Sequence, residues 1–150
     1  MPKSFFELYA HIIFSTKHRK KYILPEFESE LYNYIGSICK DHKCSPIIVG
    51  GHKDHIHILC RVSKHNKLPD VISKIKSNSS RRIKENKLVP ENFYWQNGYG
   101  AFSVSASHVD IVRKYILNQH EHHKKISFKD EYRKILIKNG INPEDPYIWD

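Results

Sequence analysis

His55-Ile56-His57-Ile58-Leu59-Cys60-Arg61-Val62 reads as a β-strand. β-Branched and apolar residues alternate with others through it, and turn signals (Gly50-Gly51, Lys53-Asp54) stand just upstream. Side chains alternate faces along a strand, so Ile56, Ile58, Cys60 and Val62 share one face while His55, His57, Leu59 and Arg61 share the other. The wholly apolar face belongs against a core. On the opposite face, two imidazoles two residues apart stand roughly 7 Å apart by strand rise, close enough to converge on one metal ion.

Working outward, Ser45 to Gly51 reads as a short partner strand, joined to the His strand as a hairpin through Lys53-Asp54. Before it, Pro25 opens a helix to about His42 whose apolar stripe is Phe27, Leu31, Tyr34, Ile35 and Ile38. Residues 5–16 read as a first strand, with Leu8, Ala10, Ile12 and Phe14 on one face and Tyr9, His11, Ile13 and Ser15 on the other. That strand runs into Lys17-His18-Arg19-Lys20-Lys21, the densest basic run, where a phosphate-contacting loop is expected.

Downstream, Pro69 sits near the start of a second helix with a narrow stripe of Ile72, Ile75, Ser79 and Ile83. The rest of that helix is basic and includes Arg81 and Arg82, which join residues 17–21 as expected DNA contacts. A fourth strand is expected from about Phe93 to Ser105, interrupted at Gly98-Tyr99-Gly100. The helix from about His108 to Lys124 has Val109, Val112 and Ile116 as its core stripe. Tyr115 and Gln119 lie one turn apart at the margin of that stripe, where a side chain reaches a cleft. A last helix runs from a cap at Ser127 to the Asn139-Gly140 stop, with Phe128, Tyr132, Ile135 and Leu136 as its apolar set. The aromatic tail Pro146-Tyr147-Ile148-Trp149 is expected to dock on the body.

The order β-α-β-β-α-β followed by helices is the split βαβ, ferredoxin-like pattern, an α+β fold in one domain over residues 1–150. In that pattern the first and third strands are central neighbours and helices cover one face of the sheet. The His face is then expected to stay open for a ligand.

A net charge of +9 with eleven histidines held neutral favours a polyanionic partner, nucleic acid ahead of a membrane surface. Three cysteines (Cys39, Cys44, Cys60) lack zinc-type pair spacing and fit reduced thiols. No segment approaches a membrane span and no apolar leader follows Met1, so a soluble cytoplasmic protein is expected.

His55-Ile56-His57 together with Tyr115-Ile116-Leu117-Asn118-Gln119 resembles the pattern of the HUH single-tyrosine transposases. These are small insertion-sequence enzymes that move single-stranded DNA, and the resemblance extends to their REP-associated tyrosine transposase relatives. The runs His11-Ile12-Ile13-Phe14-Ser15-Thr16-Lys17 and Trp95-Gln96-Asn97-Gly98-Tyr99-Gly100-Ala101-Phe102-Ser103-Val104-Ser105 resemble counterparts there too, in the same order. The resemblance implies Tyr115 as nucleophile and His55, His57 and Gln119 as ligands of Mg²⁺ or Mn²⁺. It implies cleavage of single-stranded DNA near hairpin ends, leaving a 5′-phosphotyrosine link and a free 3′-OH. It also implies a homodimer in which the tyrosine helix of one subunit can serve the His pair of the other, although REP-associated relatives can act as monomers. Two imidazoles and one amide oxygen leave positions open for phosphate and water.

Other readings compete with this one. His120, His122 and His123 with Glu121 offer a rival metal site, but their place at a helix end reads as solvated and DNA-proximal. His11 approaches the site from its own strand and is left out of the ligand set. A histidine-triad hydrolase needs a third alternating His, and position 59 is Leu59. The alternative from another class is a non-catalytic, ferredoxin-like nucleic-acid-binding module, which would stack bases on sheet aromatics; the His strand has none.

Overall fold

Period-two alternation in the two central strands gives the sheet two chemically different faces, and the rest of the chain sorts onto one or the other. The structure, a computed structural model, describes residues 2–150. In chain order its elements are β1 (Leu8–Ser15), α1 (Pro25–Asp41), β2 (Ser45–His52), β3 (His55–Val62), α2 (Leu68–Glu85) and β4 (Gly100–Val104). The helices α3 (Val109–Leu117), α4 (Gln119–His122) and α5 (Phe128–Lys138) follow. The strands form one antiparallel sheet in the order β2-β3-β1-β4, with β1 and β3 central as the ferredoxin-like pattern requires.

One face carries Ala10, Ile12 and Phe14 of β1 and Ile56, Ile58 and Cys60 of β3, packed under α1 and α2. Phe27, Leu31, Ile35 and Ile38 of α1 meet Val71, Ile72, Ile75 and Ile83 of α2 over this face, making the main core. A fully buried side chain of this kind contributes about 1.5–3 kcal/mol. Burial here fixes the register: a one-residue slip would turn Ile56 and Ile58 out and the histidines into this core.

The other face is covered, where an open one was expected. His55 and His57 have no exposed surface, because α3, α4 and α5 fold back across them. The cause is apolar: Ile13, between the two histidines and β4, packs with Phe128, Tyr132 and Leu136 of α5, and the Phe128 ring stacks on His55 at 4.4 Å.

The fourth strand is shorter than expected, Gly100–Val104. Residues 97–99 interrupt the ladder between Gly100 and Trp95, which keeps an isolated antiparallel bridge to Thr16 while Phe93 and Trp95 plug the main core. Lys76 then draws off the carbonyls of Gln96, Asn97 and Gly98, its Nζ donating to them at 2.5, 3.0 and 2.9 Å. The expected helix of residues 108–124 is also interrupted. Asn118 takes a non-helical conformation (φ −92°, ψ 15°) although its N–H still donates to Lys114 O at 3.1 Å, so the chain jogs without breaking. At the end of the chain, Trp149 docks on Tyr132 and lies between Arg19 and Lys129.

Candidate active site and metal centre

The hairpin turn and the strand register place the two histidines. The Asp54 carbonyl accepts the Thr16 N–H at 2.8 Å, and the Lys53 carbonyl accepts that of Ile23 at 2.9 Å, tying the turn to the chain beyond β1. The Asp54 carboxylate then takes the Nδ1–H of His55 at 2.7 Å. The partners of Asp54, His55 first, hold its carboxyl below the ordinary value despite a burial that opposes this. Across the β1–β3 pair, His11 Nε2 stands 2.7 Å from His57 Nδ1, with the rings stacked. Both Nδ1 atoms are thus engaged from behind, the usual way of aiming a ligating imidazole.

The Nε2 atoms point into a small polar gap filled from the helices. Gln119 Oε1 lies 2.8 Å from His55 Nε2, and Glu131 Oε1 lies 3.1 Å from His57 Nε2 and 3.5 Å from His55 Nε2. The Gln119 amide donates to Glu131 Oε2 at 2.9 Å, and the Tyr115 hydroxyl donates to the same oxygen. The jog at Asn118 turns Gln119 fully inward, while Tyr115 remains half-buried at the edge. His57, Tyr115 and His122 stand in sequence, ring to ring, at 5.8 and 5.4 Å.

Glu131 is the residue the sequence reading missed, and it is the hub of the site. Burial alone would raise its carboxyl, but His123 and His57 reverse this and hold it well below the usual range. Burial followed by the Glu131 charge pushes the Tyr115 phenol far up, with Gln119 alone opposing. Burial pulls His57 below its ordinary value, against the Glu131 hydrogen bond, and drives His11 down to about 3.

His123 corrects a second expectation. Of the three histidines read as a solvated helix end, His120 is exposed and pairs with Glu28 and His52. His123, by contrast, is turned inward. Its Nδ1 meets the Ile126 carbonyl at 2.8 Å, and its Nε2 lies 2.9 Å from Gln119 Oε1 and 3.3 Å from Glu131 Oε1. Burial lowers its imidazole, but Glu131 outweighs burial and raises it overall. His122 remains partly exposed, 3.4 Å from Glu131 Oε2.

The donor set fits a divalent cation. His55, His57 and Glu131 each offer a ligand atom, all within 4.8 Å of one another. With the His55 Nδ1–H given to Asp54, its Nε2 lone pair faces Gln119 Oε1 and Glu131 Oε1, which are also acceptors. Lone pairs converging without a proton between them are what a cation resolves, and mixed imidazole and oxygen donors suit a first-row or hard divalent ion.

The basic residues divide between two places. Lys17–Lys21 leave the end of β1 beside Asp54, with His18 and Arg19 in left-handed backbone conformation (φ 57° and 55°). Arg19 donates to the Trp149 carbonyl at 3.0 Å. Arg81 and Arg82 ride on α2, on the far side of the sheet from the histidines, and Arg82 is engaged by Glu30 at 3.2 Å and by the Tyr34 ring.

A buried His-x-His pair on a central strand faces a tyrosine and a glutamine one turn apart on a separate segment, the arrangement expected of a single-tyrosine HUH transposase on a ferredoxin-like sheet. The family model described as "Transposase IS200 like" matches residues 4–119, and the chain belongs to that family. Among its relatives, the ISDra2 transposase TnpA of Deinococcus radiodurans is 27% identical over 123 residues, covering 77% of this chain and 86% of that one. The fold is shared with the crystal structure of a transposase from Deinococcus radiodurans (TM-score 0.62, 23% identity, covering 79% of this chain and 98% of that one). It is shared also with a REP-associated tyrosine transposase bound to a REP hairpin (TM-score 0.58, 11% identity, covering 83% of this chain and 72% of that one). Glu131 and His123 lie beyond the matched residues, on the C-terminal side of Gln119. Among the described residues no helix is long and apolar enough to cross a membrane.

Proposed function

We propose that this transposase cleaves and rejoins single-stranded DNA near hairpin ends through a covalent link between Tyr115 and a 5′-phosphate. The observation that carries the reading is the convergence of the Tyr115 hydroxyl, both His Nε2 atoms, Gln119 and Glu131 on one gap.

The Tyr115 oxygen attacks phosphorus, the bond from phosphorus to the 3′-oxygen breaks, and that oxygen takes a proton from solvent to end the departing strand as a free 3′-OH. Glu131, already accepting from the phenol, orients it for attack; a carboxyl held well below the usual range is a weak base, so the proton of a phenol with an ordinary pKa of about 10 passes on to solvent. His55, His57, Glu131 and Gln119 would hold Mg²⁺ or Mn²⁺, which when bound supplies Lewis-acid stabilisation of the phosphate and offsets the Glu131 charge that disfavours the phenolate. Phe128 on His55 keeps water from the inner side of the pair. The phosphotyrosine ester retains the energy of the broken bond, so a 3′-OH attacking it restores a phosphodiester without ATP.

Single-stranded hairpin DNA is the partner that the basic surface and the family support, with Lys17, His18, Arg19, Lys20 and Lys21 as backbone contacts beside the site. Arg81 and Arg82 would hold DNA that wraps to the α2 side. Tyr115 contacts the site of its own chain, which favours cleavage within one subunit. A homodimer then serves to bring two DNA ends together.

The test is Tyr115→Phe with a single-stranded hairpin oligonucleotide drawn from a pool randomised beside the stem. The wild type forms a denaturation-resistant adduct that maps to Tyr115, and the variant binds but forms none; cleavage unchanged in the variant overturns the proposal. Mixing Tyr115→Phe chains with His57→Ala chains restores no cleavage if each site is complete in one subunit, and restores it if the tyrosine is exchanged.

A further inference from the structure

We propose that the groove between β4, α3 and α5 is a nucleobase subsite, seating the base next to the phosphodiester that Tyr115 attacks. The inference rests on the strand-cleavage reading and adds to it a protein pocket for one flanking nucleotide.

The groove encloses about 710 Å³, within the range of sites that hold small ligands. Its inner end is the edge of Tyr115 and Glu131, so whatever fills it lies against the reacting groups. Its walls are apolar: Phe102 from β4, Val112 from α3 and Ile135 from α5. Lys134 and Lys138, one helical turn apart on α5, stand at its rim. An apolar slot with cations at its mouth matches a nucleotide, whose base has an apolar face and whose phosphates are anionic. A backbone phosphate alone would leave the walls unmatched.

Phe102 is the stacking platform. It lies directly across from His11 in the β1–β4 ladder, on the same sheet face as the site. A Cβ on Gly100 would stand 2.8 Å from Phe102 Cε2 and 2.6 Å from Tyr132 Oη, so the glycine gives the ring room to lie back over the strand. The α5 wall lies outside the family-matched residues 4–119.

The test is a double-mutant cycle on the oligonucleotide that the wild type is found to cleave. Each nucleotide flanking the scissile phosphate is replaced in turn by an abasic residue, and binding is measured with wild type, Phe102→Ala and Phe102→Tyr. At one flanking position the abasic change weakens wild-type and Phe102→Tyr binding about tenfold, as loss of one stacked base does. It weakens Phe102→Ala binding by no more than about twofold. Val112→Trp, which fills the slot, reproduces the Phe102→Ala result and guards against a misfolded alanine variant. Equal abasic penalties in all four proteins at both positions overturn the subsite while adduct formation at Tyr115 still stands. Absence of any Tyr115 adduct from the wild type overturns the reading beneath it.

Discussion

His11 Nε2 stands 2.7 Å from His57 Nδ1, so the first central strand sets the tautomer of a residue on the second. When the His57 Nδ1–H is given to His11, the Nε2 lone pair is free for a cation. In the other tautomer Nε2 donates to Glu131. Removing the partner should therefore cost metal affinity without removing a ligand: His11→Ala is expected to weaken Mn²⁺ binding about 10–100-fold, measured by calorimetry. Unchanged affinity would show that His57 is aimed by packing alone.

The same residue makes metal-free stability depend on pH. The His11 imidazole is driven to about 3 by burial and then by His57, against an ordinary value of about 6.5. The unfolded chain thus binds the extra proton first. The stability this gives is fully present above about pH 6.5 and is lost as pH falls toward 3. Thermal melts in chelator should show a steady fall of Tm across that window, and His11→Asn should make it shallower.

Glu131→Gln keeps the shape of the hub but removes its charge, weakening both its hold on the Tyr115 hydroxyl and the ligand set for a cation. The rate of adduct formation under single-turnover conditions is expected to fall by about 10²-fold as the tyrosine loses its positioning partner, with DNA binding retained. A variant that forms the adduct at the wild-type rate would leave Glu131 a structural residue.

Gly50 seats the tyrosine helix. A Cβ there would lie 2.8 Å from Ile116 Cγ2 and 3.2 Å from the Ile116 carbonyl, which is backbone and cannot swing aside. Gly50→Val should push α3 off β2, costing about 1–3 kcal/mol in denaturant unfolding and slowing adduct formation as Tyr115 is displaced. Normal cleavage by a destabilised variant would separate the helix seat from the chemistry.

The sheet was legible because β1 and β3 alternate without a break: Ile12, Phe14, Ile56 and Ile58 could face only a core, and the pairing of first and third strands followed from the element order. Tyr115 and Gln119 were legible as a pair one turn apart, though not that a jog at Asn118 would bury Gln119. Strand four was over-read in length though not in its break near Gly98: Trp95 still bridges Thr16, and nothing in residues 96–98 announces that Lys76 will gather their carbonyls. The cover on the His face was missed for want of weight on α5. Its apolar set of Phe128, Tyr132, Ile135 and Leu136 has Glu131 inside it at helical spacing, and a carboxylate within an apolar stripe was the available signal for a buried acid. His123 had no comparable signal, because its inward turn depends on the jog five residues earlier.

The Lys53-Asp54 turn carries a consequence for the energetics of turnover. Its two carbonyls are riveted to Thr16 and Ile23, and its carboxylate grips His55. The direction of the ligating nitrogen is thus settled when the protein folds, before any ion or strand arrives. Ordering of the His pair is absent from the free energy of substrate binding, so more of the DNA contact energy remains for holding the phosphate in line with the tyrosine.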